Sequence, residues 1–493
     1  MPTVLFRTGP FQKLAIFSFA LLLEACTVGP DYQKPQPSVP SQWIEADPSP
    51  STVNLEDFTH WWRGFQDQQL NQLIERALQG NLDLKAAKTR IQAARAQITA
   101  TEAERWPSVN ASSAYQRQRI SPNALLGALG SIQGGNNASN SGILSTLGPL
   151  GTPFNLFQAG FDASWELDLF GGIRRQEEAA NANAEAIGES LHDIQVSLCA
   201  EVARLYLEHR ALQIRLQIAE DRLKNQHELQ RLTEANYGEG FVTALDRQRV
   251  NAELSSVEST LAPLVAQIKN NRHALATLLG LSPGSLDQQL ANLPLSIPLP
   301  PSIQPGLPSE VLKRRPDIRQ AERTVAAASA SIGAAVAELF PKISLTGAAG
   351  FQSQDLSNFT SLSSGFYGFG PRLSLPIFQA GRLLANIDAQ EQRHQESIAL
   401  YDKTVLTALR EVEDSLASAQ GVKKQRESLE SAEQAAAKAA NTALAFYREG
   451  EVDLQVVLDT RRTWHESREQ LAQSQLAWAN THVALFKALG GGW

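Results

Sequence analysis

From Phe157 onward the chain alternates. Phe157, Ala159, Phe161, Ala163, Trp165, Leu167 and Leu169 hold the odd positions, and Gln158, Gly160, Asp162, Ser164, Glu166 and Asp168 the even ones. Alternate side chains of a strand point to opposite faces, so this segment predicts a long strand with one apolar face and one acidic, wet face. The same period recurs in "KISLT", where Ile343 and Leu345 oppose Ser344 and Thr346. It recurs again in "RLSLPIF", where Leu373, Leu375 and Ile377 oppose Arg372 and Ser374. With "SVNASSAY" (Ser108 to Tyr115), four strands are predicted, at about 107–120, 154–170, 341–353 and 366–379.

Strands of roughly ten residues with this alternation are the pattern of an outer-membrane barrel. A half-buried sheet in a soluble protein produces it too. Asp162, Glu166 and Asp168 on one face suit a watery lumen, and Trp165 and Phe170 near the strand end suit an interfacial belt. Four strands cannot close a barrel, and an open edge is not tolerated in lipid, so several chains must pool their strands.

Most of the remaining pattern is helical. Leu70, Leu73, Ile74, Ala77 and Leu78 share a helix face, Gly80 and Asn81 interrupt it, and a second helix runs on to Trp106 before Pro107. No proline falls between Pro153 and Pro263, and none follows Pro376. From about Ile173 to Asn236 the Ala/Glu/Gln/Leu-rich text predicts one helix, roughly 95 Å long at the α-helical rise; Arg382 to Tyr447 predicts its twin. Each rod ends at a glycine turn, "YGEG" with Gly238 and Gly240, and "YREG" with Gly450, and returns as another helix. Ala-rich rods that stay polar most of the way round suit side-by-side packing about a wet interior.

The two halves repeat each other. Asn81 to Pro107 aligns without gaps to Arg315 to Pro341, bringing Asp83 to Asp317 and Glu104 to Glu338, and strands follow the proline in both copies. "LATLLG" (Leu275 to Gly280) matches "LFKALG" (Leu485 to Gly490). The expected organisation is a first repeat over 65–292 with a hairpin at about 172–280, and a second over 310–493 with a hairpin at about 381–490. A Pro-rich linker at 293–309 joins them.

The N-terminus carries a targeting pattern. Arg7 and Lys13 precede the apolar run Leu14 to Leu23, and Leu23, Ala25 and Cys26 stand where a bacterial lipoprotein signal places its aliphatic, small and lipidated residues. Glu24 departs from that pattern, and a plain secretory signal is the alternative. Residues 1–25 are thus expected to be a signal peptide, Cys26 a lipidation site carrying palmitate, and the Pro/Ser-rich 26–64 an extended tether. Cys199, on a stripe with Leu198, Val202, Leu205 and Tyr206, reads as a core residue.

Composition narrows the function classes. The net charge is −7, and there is no basic cluster or aromatic–basic interleaving, so nucleic-acid binding is not expected. No run of about 18 apolar residues occurs, so no spanning helix is expected. No HExxH, GxSxG, Walker A or GxGxxG motif is present, the eight histidines are scattered, and the single Met is the initiator. An enzyme, a cofactor and a metal site are therefore not expected, and a soft-metal relay lacks its ligands.

Taken in order, "ACTVGPDYQKP", "WWRGFQDQQLNQLIERALQGNLDL", "WELDLFGGIRR", "LLGLSPG", "RRPDIRQAE" and "LPIFQAGRL" resemble the TolC family of outer-membrane efflux proteins, in its NodT- or OprM-like lipoprotein branch. The resemblance implies an α+β membrane protein: a homotrimer with a twelve-stranded β-barrel, four strands per chain, continuous with a long periplasmic α-helical barrel. It implies the exit duct of a tripartite pump exporting drugs or other toxic small molecules, passively and through a gate. Its partners would be a periplasmic adaptor (membrane fusion) protein, an inner-membrane transporter expected to be of the RND type, and outer-membrane lipid. By position, Asp246 and Tyr447 would form a gating hydrogen bond at the periplasmic aperture, and Asp459 an acidic ring inside it. Val452 and Val456 stand where some members carry an Arg and a second acid. Two alternatives stay open: the exit duct of a type I protein-secretion system, and a lipid-anchored structural helical rod.

Overall fold

The computed structural model describes residues 27–45, 58–119, 153–291, 293–300 and 306–493. The signal-like run, Cys26 and most of the long loop of the first repeat lie outside them. The principal elements are α1 (Gln68–Gly80), α2 (Leu82–Ala103), β1 (Ser108–Gln118), β2 (Phe154–Leu167), α3 (Gly172–Gly238), α4 (Ala244–Leu278), α5 (Pro308–Arg314), α6 (Pro316–Ala337), β3 (Lys342–Ser353), β4 (Gly365–Ser374), α7 (Arg382–Glu449) and α8 (Leu454–Ala488). The duplication is visible in the lengths. α2 and α6 have 22 residues each, α3 and α7 have 67 and 68, and α4 and α8 have 35 each. The chain divides into two compact units.

The first unit, described at 27–33, 95–119, 153–181 and 326–395, contains the sheet. Its order is β1-β2-β3-β4, antiparallel throughout. Register carries the alternation of the sequence across all four strands. Ala111, Phe161, Ala349 and Tyr367 fall in one row; Val109, Ala163, Gly347 and Phe369 fall in the next. Tyr367 and Phe369 are 83% and 84% exposed, and Phe161 and Leu373 are exposed beside them. Asn110, Asp162 and Ala348 point the other way, with Asn110 Nδ2 donating to Asp162 Oδ2 at 3.2 Å. Among the described residues β1 and β4 have a partner on one side only. At the end of the sheet, the Trp165 indole donates to the Arg105 carbonyl at 2.7 Å, and Phe170 stacks on Phe340 at 4.7 Å.

The second unit, described at 34–45, 58–94, 182–291, 293–300, 306–325 and 396–493, contains the larger core. Leu70, Leu73, Ile74 and Ala77 of α1 are fully buried, as their spacing predicts. Trp61 stacks on Phe486 at 5.0 Å, and Cys199 is buried with its thiol pushed up to about 12 by burial, which makes it an inert core residue. Arg210 is buried but forks into Asp67 Oδ2 (2.9 Å), the Tyr206 hydroxyl (2.6 Å) and the carbonyls of Pro294 and Ser296 (2.7 Å each). Such partners offset the cost of taking a guanidinium out of water.

The N-terminal segment is extended as its prolines require, but it is not loose. Within the first unit, Val28 N donates to Phe170 O at 3.2 Å, and Arg175 bonds Asp31 at 2.8 Å. Within the second, Trp43 Nε1 donates to Gly306 O at 2.8 Å, and the amides of Ile44 and Glu45 meet the Glu413 carboxylate at 2.8 and 3.1 Å. The described part of the tether is therefore bound to the fold on which it lies.

Candidate functional site

The two hairpin turns have the same construction. Gly240 has φ +80° and Gly450 φ +79°, the left-handed conformation that closes a helix most cheaply with glycine. Phe241 N bonds Asn236 O at 2.8 Å and Gly240 N bonds Tyr237 O at 3.1 Å; Glu451 N bonds Phe446 O at 2.9 Å and Gly450 N bonds Tyr447 O at 3.1 Å. Both ends are Schellman motifs. Gly238 belongs to the last helical turn and takes no positive φ.

Below the turns, one apolar cluster draws on all four helices: Leu229 from α3, Val250 from α4, Ala443 from α7, and Leu454 and Val457 from α8. Tyr447 packs against this cluster, and its hydroxyl is buried with no hydrogen-bond partner. Asp246 is engaged elsewhere. Its Oδ2 accepts from the Thr243 amide at 3.0 Å and the Thr243 hydroxyl at 2.7 Å, completing a capping box at the start of α4. The Thr243 hydroxyl and then its amide hold the Asp246 carboxyl below the usual carboxylate range. Within the chain the Tyr447 hydroxyl and Asp246 are not hydrogen-bonded: the acid's Oδ2 is held in its own helix cap. Asp246→Ala is expected to cost about 1 kcal/mol, mostly as fraying of the first turn of α4. Hydrogen exchange at residues 243–247 would register it.

Other side chains tie the hairpins together. Arg249 Nη1 of α4 donates to Gln455 Oε1 of α8 at 3.2 Å, and Gln455 Nε2 donates to Asp459 Oδ2 at 3.0 Å. Arg448 of α7 pairs with Glu228 of α3 at 3.0 Å, and Arg461 of α8 donates to the Asn225 carbonyl of α3 at 3.2 Å. Further along, Arg468 meets Asp221 at 3.1 Å and Arg215 meets Glu469 at 2.7 Å. Asp459 therefore sits at the end of a cross-hairpin chain that sequence reading missed, since nothing local announces a contact between residues 206 positions apart. Among the described residues no group of His, Cys, Asp and Glu could hold a metal ion, and no helix is long and apolar enough to cross a membrane.

A four-stranded sheet with an exposed apolar face and two long helical hairpins define a class whose relatives are found at the outer membrane. The outer membrane efflux protein family matches residues 73–281 and 307–491, one stretch in each repeat, and the chain belongs to that family. The cation efflux system protein CusC of Escherichia coli is 33% identical over 486 residues, covering 97% of this chain and 99% of its own. The toluene efflux pump outer membrane protein TtgC of Pseudomonas putida is 32% identical over 498 residues, covering 99% and 96%. Among solved structures, the outer-membrane channel OprN superposes with a TM-score of 0.82 at 33% identity, over 95% of this chain and 100% of that one. The open state of the outer-membrane channel MtrE of Neisseria gonorrhoeae gives 0.78 at 30% identity, over 95% and 98%. Efflux at the outer membrane is the function of this chain, and its fold is that of the family's channels.

Proposed function

We propose that three copies of this chain close a twelve-stranded barrel and a helical tunnel and form the exit duct of a tripartite efflux pump. A periplasmic adaptor and an RND-type inner-membrane transporter would complete the pump. Its cargo would be drugs or other toxic organic molecules, and acyl chains on Cys26 would anchor it. The duct itself performs no catalysis. The observation that carries this reading is the in-register sheet, apolar and exposed on one face, whose edge strands β1 and β4 have an open outer side among the described residues. Such a sheet survives in lipid only when other copies pair with its edges. Exposed Leu400 and Leu406 on α7 also suit a neighbouring copy.

The gate we place at the two glycine turns, with Asp459 inside it, and the Arg249–Gln455–Asp459 chain as the tie that keeps each pair of hairpins closed. Native mass spectrometry of the detergent-solubilised protein is expected to give a trimer, and planar bilayers a small, largely closed conductance. Gln455→Ala should raise the open fraction by roughly fivefold, as for a lost bond worth about 1 kcal/mol. Tyr447→Phe should leave it unchanged. A monomer without conductance would defeat the duct, whereas a trimer opened by Tyr447→Phe and not by Gln455→Ala would defeat only the tie.

A further inference from the structure

α8 is two-faced near its start. Leu454, Val457 and His465 are buried in the packing of the hairpins, and Leu458 lies against the same apolar cluster. The stripe left exposed runs Gln455, Val456, Arg462, Thr463 and Glu466, with Asp459 half-buried among them. Steps of three and four residues keep Val456, Asp459, Arg462 and Glu466 close to one line along the helix. Their charges form a ladder. Arg462 Nη2 lies 3.4 Å from Asp459 Oδ1, and Arg462 Nε lies 3.9 Å from Glu466 Oε1. Two carboxylates share one guanidinium along this stripe, and the next cation, Arg249 of α4, reaches Asp459 only through Gln455.

We infer that Arg462 sets the charge selectivity of the duct's periplasmic aperture, a step that rests on the duct reading given above. A bare ring of carboxylates concentrates cations and repels anions, and the effect grows with the charge of the ring. Pairing with Arg462 reduces the field of Asp459 to that of a dipole, and salt screens the remainder beyond about 8 Å. One turn nearer the hairpin end, Val456 adds an apolar layer, which favours carbon-rich cargo over a fully hydrated ion. The aperture then admits amphipathic organic molecules, neutral or singly cationic, in preference to metal cations. The Arg462 side chain is 56% exposed and is not one of the residues that build the buried cluster, so replacing it removes none of that cluster's own side chains.

The test is the reversal potential of single channels in a KCl gradient, with trimer content followed by native mass spectrometry. Wild type is expected to be mildly cation-preferring. Arg462→Gln should raise the cation-over-anion permeability ratio at least about threefold, Asp459→Asn should bring it close to unity, and Arg462→Lys should keep it near wild type. Wild-type channels that are strongly cation-selective and indifferent to Arg462→Gln would overturn the proposal. So would Arg462→Gln protein that loses its trimers while its remaining channels keep the wild-type ratio, since the stripe would then be a subunit contact. Folded trimers with no conductance in any variant would instead overturn the duct reading beneath it.

Discussion

Arg315→Ala is expected to lower the unfolding free energy of the second unit by about 3–5 kcal/mol, the usual cost of removing one partner from a buried ionic network. Arg315 stands at the α5–α6 junction and is buried. Its Nε and Nη2 fork onto both oxygens of Asp317 at 3.0 and 2.6 Å, and Nη1 reaches Glu411 Oε2 of α7 at 2.7 Å. The same Nη1 donates to the Ala488 carbonyl at 2.9 Å, in the last turn of α8, where carbonyls lack helical partners and a cation is favoured by the dipole. One side chain thus fastens three helices. Alanine would leave Asp317 and Glu411 without their counter-charge, beside an Asp193 carboxyl that burial and then Asp317 already push up. Arg315→Lys should recover only part of the loss, because an ammonium cannot reproduce the fork. Thermal unfolding followed by helical circular dichroism would check both variants. A loss below about 1 kcal/mol for alanine would show that water takes over the role of the guanidinium.

The sheet and the hairpins were legible in the sequence for a physical reason. A strand with one lipid-facing side must alternate, and register forces its neighbours to alternate in step, so Phe161 and Asp162 already declared opposite faces. Gly240 and Gly450 marked the turns because only a left-handed residue closes them cheaply. The site was less legible. The spacing of Thr243 and Asp246 is that of a capping box, a local signal available in the sequence. Asp459, Arg462 and Glu466 likewise announce their pairing by spacing alone. The tie from Arg249 to Gln455 and the fork of Arg315 onto Ala488, 173 residues away, had no such signal. They depend on the register between helices, which no local pattern encodes. The binding of Ile44 and Glu45 to Glu413 belongs with them: proline content predicts an extended segment and says nothing of what it lies on.

Acid should destabilise the helical hairpins through two histidines that cannot accept a proton while folded. His209 is fully buried, with Nε2 3.2 Å from the Leu290 carbonyl. A carbonyl only accepts, so Nε2 carries the hydrogen and Nδ1, buried without a partner, holds the lone pair. His465 is also buried with Nδ1 unpartnered, and it stacks on Trp464. Burial lowers both to about 4, helped at His465 by Arg222, Arg468 and Arg461 and opposed there by Asp221. The sign follows from the depressed folded values. Above about pH 6.5 both rings are neutral, folded or unfolded, and cost nothing. Between about 6.5 and 4 the unfolded chain takes up protons that the folded chain refuses, so stability falls with pH; below about 4 the loss levels off. Its size is on the order of 3 kcal/mol for each ring. Titrating carboxylates also contribute to acid unfolding, so the informative quantity is the difference from a neutral variant. His465→Leu keeps the volume and removes the proton site. Its unfolding temperature should fall less than that of wild type between about pH 6.5 and 4.5, and the double variant with His209→Leu should flatten the profile further. Parallel profiles for wild type and both variants would mean that water reaches the rings and that they titrate freely in the folded tunnel.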